Sequence, residues 1–167
     1  TTMGKKVLNF EKNFAKYIGV KHAIMVNSGS SANLLALSLL ASPSLGAKKF
    51  SSGDEIITPA VTWSTTVFPI STINAIPVFV DVDPHTFNID PEKIEQAITK
   101  KTKAIMLVHL LGFPCDMKKI IKIAKKYNLE IIEDCCEALG ASYCKKKVGT
   151  FDKVATYSFF ASHHITT

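Results

Sequence analysis

Residues 103–134, KAIMLVHLLGFPCDMKKIIKIAKKYNLEIIED, contain two short apolar segments separated by an amphipathic one. The first segment, Lys103 to His109, and the last, Leu129 to Glu133, have the length and composition of buried strands. A helix is predicted between them, from Asp116 to Tyr127. Its inward face is formed by Met117, Ile120, Ile121 and Ala124. A strand, a helix and a second strand in this order are typical of an α/β protein whose parallel sheet is buried on both faces.

The rest of the chain repeats this alternation. Further strands are predicted at His22 to Asn27, Glu55 to Thr58, Pro77 to Asp81 and Val154 to Phe160. Four further helices are predicted. The first has the inward face Val7, Phe10, Phe14, Tyr17 and Ile18 and ends at Gly19. The others run from Ala32 to Leu40, from Trp63 to Asn74 with an irregularity at Pro69, and from Asp90-Pro91 to Thr99. We therefore expect a three-layer α/β/α domain with a mostly parallel sheet.

Composition excludes several classes of function. All 20 basic residues are lysines, which give a net charge of +6, and the chain has no arginine to form the guanidinium contacts that favour nucleic acids. The apolar segments are too short to cross a membrane, and no secretory signal is visible. The four cysteines match no zinc pattern, so reduced thiols and a cytoplasmic location are expected. No nucleic-acid or membrane partner is predicted.

Polar residues follow the predicted strands at their carboxyl ends, where open α/β sheets bind ligands. Ser28-Gly29-Ser30-Ser31 opens a helix, and such a turn can hold a phosphate or can simply be a serine-rich helix cap. Trp63 can stack on a flat ring or lie half-buried in the core. Asp134 can pair with a protonated ring nitrogen or cap a helix, and Glu137 can contact a ligand or complement the helix dipole.

His163-His164 follows the last predicted strand. A histidine at that position can act as a general base near neutral pH. The pair could also be two metal ligands or two surface histidines. Metal binding is disfavoured, because adjacent residues in an extended chain point apart and no third ligand is evident, so no metal is predicted. The chain ends at Ile165-Thr166-Thr167 with no closing helix, from which we expect it to be part of a longer protein.

Seven ordered segments resemble the DegT/DnrJ/EryC1/StrS sugar aminotransferases, which have the aspartate-aminotransferase fold (fold type I) and use pyridoxal 5'-phosphate (PLP). These are Asn27 to Asn33, Gly53 to Glu55, Pro59 to Thr65, Val80 to Asp83, Val108 to Gly112, Glu133-Asp134 and Tyr157 to Phe159. The resemblance implies that residues 1–167 are part of a cofactor-binding large domain whose remaining strand and small domain lie further along the chain. It also implies a homodimer of the full-length protein.

The resemblance assigns a cofactor contact to six residues. The backbone at Gly29 and Ser30 and the hydroxyl of Ser158 would hold the cofactor phosphate. Trp63 would stack on the pyridine ring, Asp134 would pair with its nitrogen, and Glu137 would lie near its reactive edge. His109 would also lie close to the site.

His163 stands where the aminotransferases have the lysine that binds the cofactor covalently. An imidazole cannot replace that amine, so the cofactor would be held without a covalent bond, most naturally as the amine form, PMP. This exchange resembles the 3-dehydratase branch of the family, which removes the C3 hydroxyl of GDP- or CDP-linked 4-keto-6-deoxyhexoses for surface polysaccharides such as O-antigen lipopolysaccharide. The alternatives are an ordinary sugar-nucleotide aminotransferase and a non-catalytic domain that binds a phosphate ligand or a protein partner.

Overall fold

A five-stranded parallel sheet forms the centre of the molecule. In chain order the strands are β1 (Glu55–Pro59), β2 (Ile76–Val80), β3 (Thr102–Val108), β4 (Glu130–Asp134) and, after a small hairpin, β7 (Val154–Thr156). The strand order across the sheet is β2-β1-β3-β4-β7, and every neighbouring pair is parallel. The hairpin consists of β5 (Ser142–Tyr143) and β6 (Lys146–Lys147). The predicted parallel sheet is confirmed.

The computed structural model describes residues 4–163 and residue 165, without the side chains of residues 47 and 48. Five α-helices are described: α1 (Lys5–Ile18), α2 (Gly29–Leu40), α3 (Ser64–Thr72), α4 (Pro91–Ala97) and α5 (Met117–Tyr127). Short 3₁₀ segments cover Pro43–Lys48 and Leu110–Gly112. All five predicted helices are confirmed, with ends that differ by a few residues.

The two faces of the sheet bury two separate apolar clusters, as the alternation of side chains along each strand requires. On one face, Ile57, Ile105 and Ile131 pack with Ile94 of α4 and with Ile120 of α5. The other face uses the neighbouring strand residues. There, Ile56, Met106 and Ile132 pack with Leu37 of α2 and Ile70 of α3. The three-layer arrangement places α2 and α3 on the face to which the side chain of Asp134 also belongs.

Two strand predictions were wrong. Among the residues that the structure describes, no strand lies beside residues 22–27, and the backbone N–H of Met25 donates to Oε1 of Glu11 in α1 at 2.8 Å. The predicted strand from Val154 to Phe160 stops at Thr156. Beyond it, Oγ of Ser158 accepts a hydrogen bond from the N–H of Phe160 at 3.2 Å, which turns the chain away from the sheet.

Helix ends follow their sequence signals. Gly19 ends α1 with a φ of 94°, and Asn128 ends α5 with a φ of 54°, which are left-handed conformations that glycine and asparagine tolerate best. Asp90 caps α4 by accepting from the N–H of Glu92. In the part of the chain that the structure describes, we find no helix with the length and apolar character that crossing a membrane requires.

Candidate functional site

Asp134 ends β4 at the carboxyl edge of the sheet, and its carboxylate is almost fully buried, with 3% of the residue exposed. Oδ2 accepts hydrogen bonds from Nδ2 of Asn33 and Oγ1 of Thr66, both at 2.9 Å. Oδ1 accepts from the N–H of Cys136 at 3.0 Å. All three partners donate, which is the arrangement that an ionised carboxylate requires. The carboxylate is thereby fixed in orientation by α2, α3 and its own turn.

Asn33 is the buried polar residue of α2 that reaches Asp134. Its second Nδ2 hydrogen is directed at the carbonyl of Thr65, at 3.3 Å, and its Oδ1 accepts from Oγ1 of Thr156 at 2.6 Å. The carbonyl of Thr65 would normally bond to the N–H four residues later, but that residue is Pro69, which has none. The irregularity predicted at Pro69 therefore has a local consequence, because it leaves a carbonyl free for Asn33.

The first turn of α2 lies at the same edge. Ser28 caps the helix by accepting from the N–H of Ser31 at 3.1 Å. The N–H groups at the start of a helix have no partner within the helix and lie at the positive end of its dipole. Gly29 and Ser30 carry two of these groups, and Ser30 is exposed to solvent. The predicted turn at residues 28–31 is thus a helix cap followed by the first helical turn.

Ser158 packs directly against Gly29. A Cβ atom added to Gly29 would lie 2.8 Å from Cβ of Ser158, 3.1 Å from its Oγ and 3.0 Å from Sγ of Cys136. Only a residue without a side chain fits at that distance. The structure therefore brings together Gly29 and Ser158, which are separated by most of the chain.

Trp63 and Glu137 lie at other points of this edge. Trp63 directly precedes α3 and is 76% exposed, so it is not the half-buried core residue of the alternative interpretation. Oε2 of Glu137 accepts from the N–H of Leu111 at 3.0 Å, which ties the segment after β4 to the segment after β3. Leu111 has a φ of 52°, an uncommon conformation that this hydrogen bond helps to hold.

His163 follows β7 in a turn in which its N–H donates to the carbonyl of Phe160 at 2.8 Å. Its ring lies edge-on to the ring of Phe160, with 5.8 Å between the centroids. Nδ1 is buried and has no hydrogen-bond partner among the described residues. His164, the other half of the predicted pair, lies outside the described residues.

His109 does not join the group around Asp134. Its ring is completely buried, Nδ1 accepts from the N–H of Cys115 at 3.1 Å, and Nε2 lies 3.2 Å from Oε2 of Glu133. Glu133 precedes Asp134 in β4 and so points to the opposite face of the sheet. His109 was expected to lie close to the site, but its side chain points to the opposite face of the sheet.

Glu133 organises a second buried cluster. Its carboxylate accepts from the N–H groups of Gly149 and Phe151, both at 2.7 Å, and from His109. Together with Sγ of Cys135, the His109 and Glu133 atoms lie within 4.8 Å of one another, as in a metal site. All three residues are buried, however, and burial raises the pKa of the Cys135 thiol well above its usual value, so the thiolate that a metal requires is disfavoured. These features indicate a structural role for the cluster.

The thiols near the site are also held in their protonated form. Burial, followed by the neighbouring Asp134 carboxylate, raises the pKa of Cys136 far above its usual value. Because a thiolate is the reactive form of cysteine, Cys136 is not suited to act as a nucleophile. Cys135 is buried and Cys136 is half-buried, and both are free thiols.

Sequence reasoning missed the side chains that hold Asp134. Asn33, Thr66 and Thr156 are buried, and their polar atoms form one chain of hydrogen bonds through Asp134. The only available signal was an asparagine directly before a mostly apolar stretch of α2.

A groove of about 720 Å³ lies elsewhere, between the segments around residues 83–92, 113–119 and 142–144. It shares no lining residue with the group around Asp134.

Comparisons with known proteins cover the whole chain. The model of the DegT/DnrJ/EryC1/StrS aminotransferase family matches residues 1–167. Lipopolysaccharide biosynthesis protein RfbH of Salmonella typhimurium is 52% identical over 94% of this chain and 36% of its own length. A dTDP-3-amino-3,6-dideoxy-alpha-D-galactopyranose transaminase of Aneurinibacillus thermoaerophilus is 47% identical over 94% of this chain and 41% of its own.

Among solved structures, the E. coli GDP-4-keto-6-deoxy-D-mannose-3-dehydratase with bound hydrated PLP matches with a TM-score of 0.93 and 45% identity. The match covers 99% of this chain and 42% of that one. The chain thus spans less than half the length of the relatives it matches. The fold is that of the PLP enzymes of fold type I.

Proposed function

Because the chain belongs to the DegT/DnrJ/EryC1/StrS aminotransferase family, we propose that residues 1–167 form a PLP- or PMP-binding domain. We further propose that the protein removes the C3 hydroxyl of a nucleotide-linked 4-keto-6-deoxyhexose. The substrate proposal follows the solved dehydratase relative, whose sugar is GDP-linked. The observation that carries the dehydratase proposal is a histidine, His163, in the segment after β7, at the position where the resemblance implies the lysine of the aminotransferases.

The phosphate end of the proposed site is the start of α2. Backbone N–H groups of Gly29 and Ser30 would donate to the phosphate, and the helix dipole would favour its negative charge. The hydroxyl of Ser158 would add a side-chain donor beside Gly29. The close fit between Gly29 and Ser158 supports this role, since a side chain at residue 29 would fill the space between the two segments.

The ring end of the proposed site is the carboxylate of Asp134. Its three donors fix the orientation of the carboxylate and all address it as an acceptor, which is the role that a protonated pyridine nitrogen requires. The indole of Trp63, largely exposed in the structure, would cover one face of the ring, and Glu137 would lie near its reactive edge. When bound, the cofactor supplies an electron-withdrawing ring and a group that condenses with the sugar carbonyl.

His163 would move the proton at the reacting edge. Histidine exchanges protons near neutral pH, which suits it to that step. No lysine occurs in residues 154–167. Lys153 precedes β7 and contacts Glu130 at the start of β4, so it lies at the opposite edge of the sheet from Asp134. It cannot take the place of the aminotransferase lysine.

The test is covalent labelling of the complete natural protein. The protein is mixed with PLP, reduced with borohydride and examined by mass spectrometry. We expect a change in PLP absorbance on binding and, after reduction, no stoichiometric pyridoxyl adduct at any one lysine, only sparse labelling spread over exposed lysines. The variant His163→Lys is the matched positive control and should acquire a stoichiometric adduct at residue 163. A stoichiometric wild-type adduct at a single lysine would contradict the dehydratase proposal.

The transaminase relative makes an aminotransferase the second candidate function, because its identity to the chain is as high as that of the dehydratase. The two candidates differ in their products. Incubation with PMP and GDP-4-keto-6-deoxymannose should yield a 3-deoxy sugar if the first is correct, and a 4-amino sugar with retained C3 hydroxyl if the second is.

The cytoplasmic location and the homodimer stay predictions. The homodimer is checked by measuring the mass of the complete natural protein in solution.

A further inference from the structure

One buried amide connects the two ends of the proposed cofactor site. Asn33 lies one turn after Gly29 in α2, so both residues are on the same side of the helix. Nδ2 of Asn33 bonds to Asp134 at 2.9 Å, which is the ring end. Oδ1 of Asn33 accepts from Thr156 at 2.6 Å. Thr156 is two residues before Ser158, which belongs to the phosphate end.

The hydrogen-bonding capacity of this amide is matched to its surroundings. Its two hydrogens serve Asp134 and the carbonyl of Thr65, which Pro69 leaves without a helical donor, and its oxygen serves Thr156. Aspartate has no hydrogens to donate, and leucine has neither donor nor acceptor. Residue 33 is 1% exposed, so water cannot substitute for a missing partner.

Thr66 and Thr156 occupy opposite sides of Asn33. The hydroxyl of Thr66 donates to Asp134, and among the described residues it forms no hydrogen bond to the segment that carries Ser158. Thr156 donates to Asn33 from the last residue of β7 and holds the strand that leads to Ser158. The two threonines therefore each support one end of the site, whereas Asn33 supports both.

We propose that Asn33 is a positioning residue that fixes the distance between the phosphate-binding and ring-binding ends of the cofactor site. Because it concerns that site, this role rests on the proposed function. It predicts a specific pattern of defects. Loss of Asn33 weakens recognition of both the phosphate and the ring nitrogen, loss of the Thr66 hydroxyl weakens recognition of the nitrogen alone, and loss of the Thr156 hydroxyl weakens recognition of the phosphate alone.

The experiment measures dissociation constants of three probes in the complete natural protein. The probes are PLP, pyridoxal, which lacks the phosphate, and the carbocyclic analogue of PLP in which C–H replaces the ring nitrogen. The ratio of pyridoxal to PLP constants reports the phosphate end, and the ratio of analogue to PLP constants reports the ring end. A general loss of stability lowers all three affinities but leaves both ratios unchanged.

We expect Asn33→Ala to reduce both ratios about fivefold or more, the effect of one lost buried hydrogen bond. Thr66→Val should reduce only the ring ratio, and Thr156→Val only the phosphate ratio. Both threonine changes preserve shape, so they carry the test even where Asn33→Ala fails to fold. Asn88→Ala is the matched control, since Asn88 is also a buried amide, bonded to Phe113 and Leu110, but lies outside the site.

The outcomes separate the two proposals. A wild-type protein that does not discriminate among the probes would overturn the proposed cofactor site. A wild type that discriminates, with Asn33→Ala changing neither ratio or only one, would overturn the role of Asn33. If that variant does not fold, threonine variants that leave both ratios unchanged would overturn it equally.

Discussion

Gly29 and Ser158 are in direct contact at the carboxyl edge of the sheet, although 129 positions separate them in the sequence. An ideal Cβ on Gly29 would come within 2.8 Å of the Ser158 Cβ, closer than nonbonded carbons approach. The start of α2 and the segment after β7 are thereby packed backbone to side chain. The proposed phosphate site is therefore formed by two segments that are distant in the sequence.

Gly29→Ala is expected to force these segments apart. The added methyl must displace Ser158 or Cys136, and either movement changes the distance between the backbone donors and the Ser158 hydroxyl. We expect affinity for PLP to fall about tenfold or more, with a smaller change for pyridoxal, as measured by absorbance titration.

Ser30→Ala is the control for this change. It also places a methyl group in the first turn of α2, but Ser30 is exposed and only its backbone is proposed to bind. Its affinity for PLP should stay within about twofold of the wild type. Equal losses in both variants would contradict the proposed geometry of the phosphate site.

Glu133→Ala is expected to destabilise the fold strongly. The change leaves the N–H groups of Gly149 and Phe151 and the ring of His109 without their buried acceptor. The free energy of unfolding should fall by about 3 kcal/mol or more, as measured by urea denaturation. Glu130→Ala is the comparison, because Glu130 is only half-buried and pairs with an exposed lysine, Lys153, so the pair contributes about 1 kcal/mol. Similar losses of stability in both variants would contradict the structural role assigned to Glu133.

The sequence placed only part of the proposed site. The strand-helix alternation put Asp134 at the carboxyl edge, because parallel strands share the direction of their ends. Ser158 was assigned by the resemblance alone, and Gly29 was predicted to follow a strand at residues 22–27 that does not form. The alternation could not show that Asn33 reaches Asp134, since helical periodicity indicates which face is buried but not which atoms meet. Long-range contacts of this kind depend on how α2 crosses the sheet.

The errors have similar physical causes. Residues 22–27 have strand-like composition, but a strand needs a hydrogen-bonded neighbour, and Met25 bonds to Glu11 instead. His109 follows β3 at the expected edge, yet its ring turns to Glu133 on the other face. Position along a strand was predictable, whereas the direction of a side chain just beyond its end was not.

Alkaline pH is expected to destabilise the protein. Burial is the main cause that raises the pKa of Cys115, Cys135, Cys136 and Tyr157 in the folded state. The unfolded chain releases the thiol protons near pH 9 and the folded chain retains them, so the free energy of unfolding falls as pH rises above that value. The loss is at most about 1.4 kcal/mol per group and pH unit. The measurement is the melting temperature between pH 7 and pH 10.

Thiol labelling is a second test of the burial of these cysteines. Cys144 is exposed, so iodoacetamide at pH 8 should modify it first, and the buried thiols of Cys115 and Cys135 should react only when denaturant is added. Modification of Cys115 or Cys135 in the folded protein at the rate of Cys144 would contradict it. Cys144→Ser should leave the alkaline loss of stability unchanged.

Trp63 is expected to report cofactor binding directly. It is 76% exposed, so the part of the emission that the variant Trp63→Phe loses should resemble that of a solvated indole. Stacking against a pyridine ring would remove water from one face of the indole and quench its emission. We expect saturable quenching by PLP with the same dissociation constant as the absorbance change. Trp63→Phe should retain most of the affinity because a flat ring remains, whereas Trp63→Ala should lose about fivefold or more. Unchanged fluorescence at saturating PLP would show that the ring lies elsewhere.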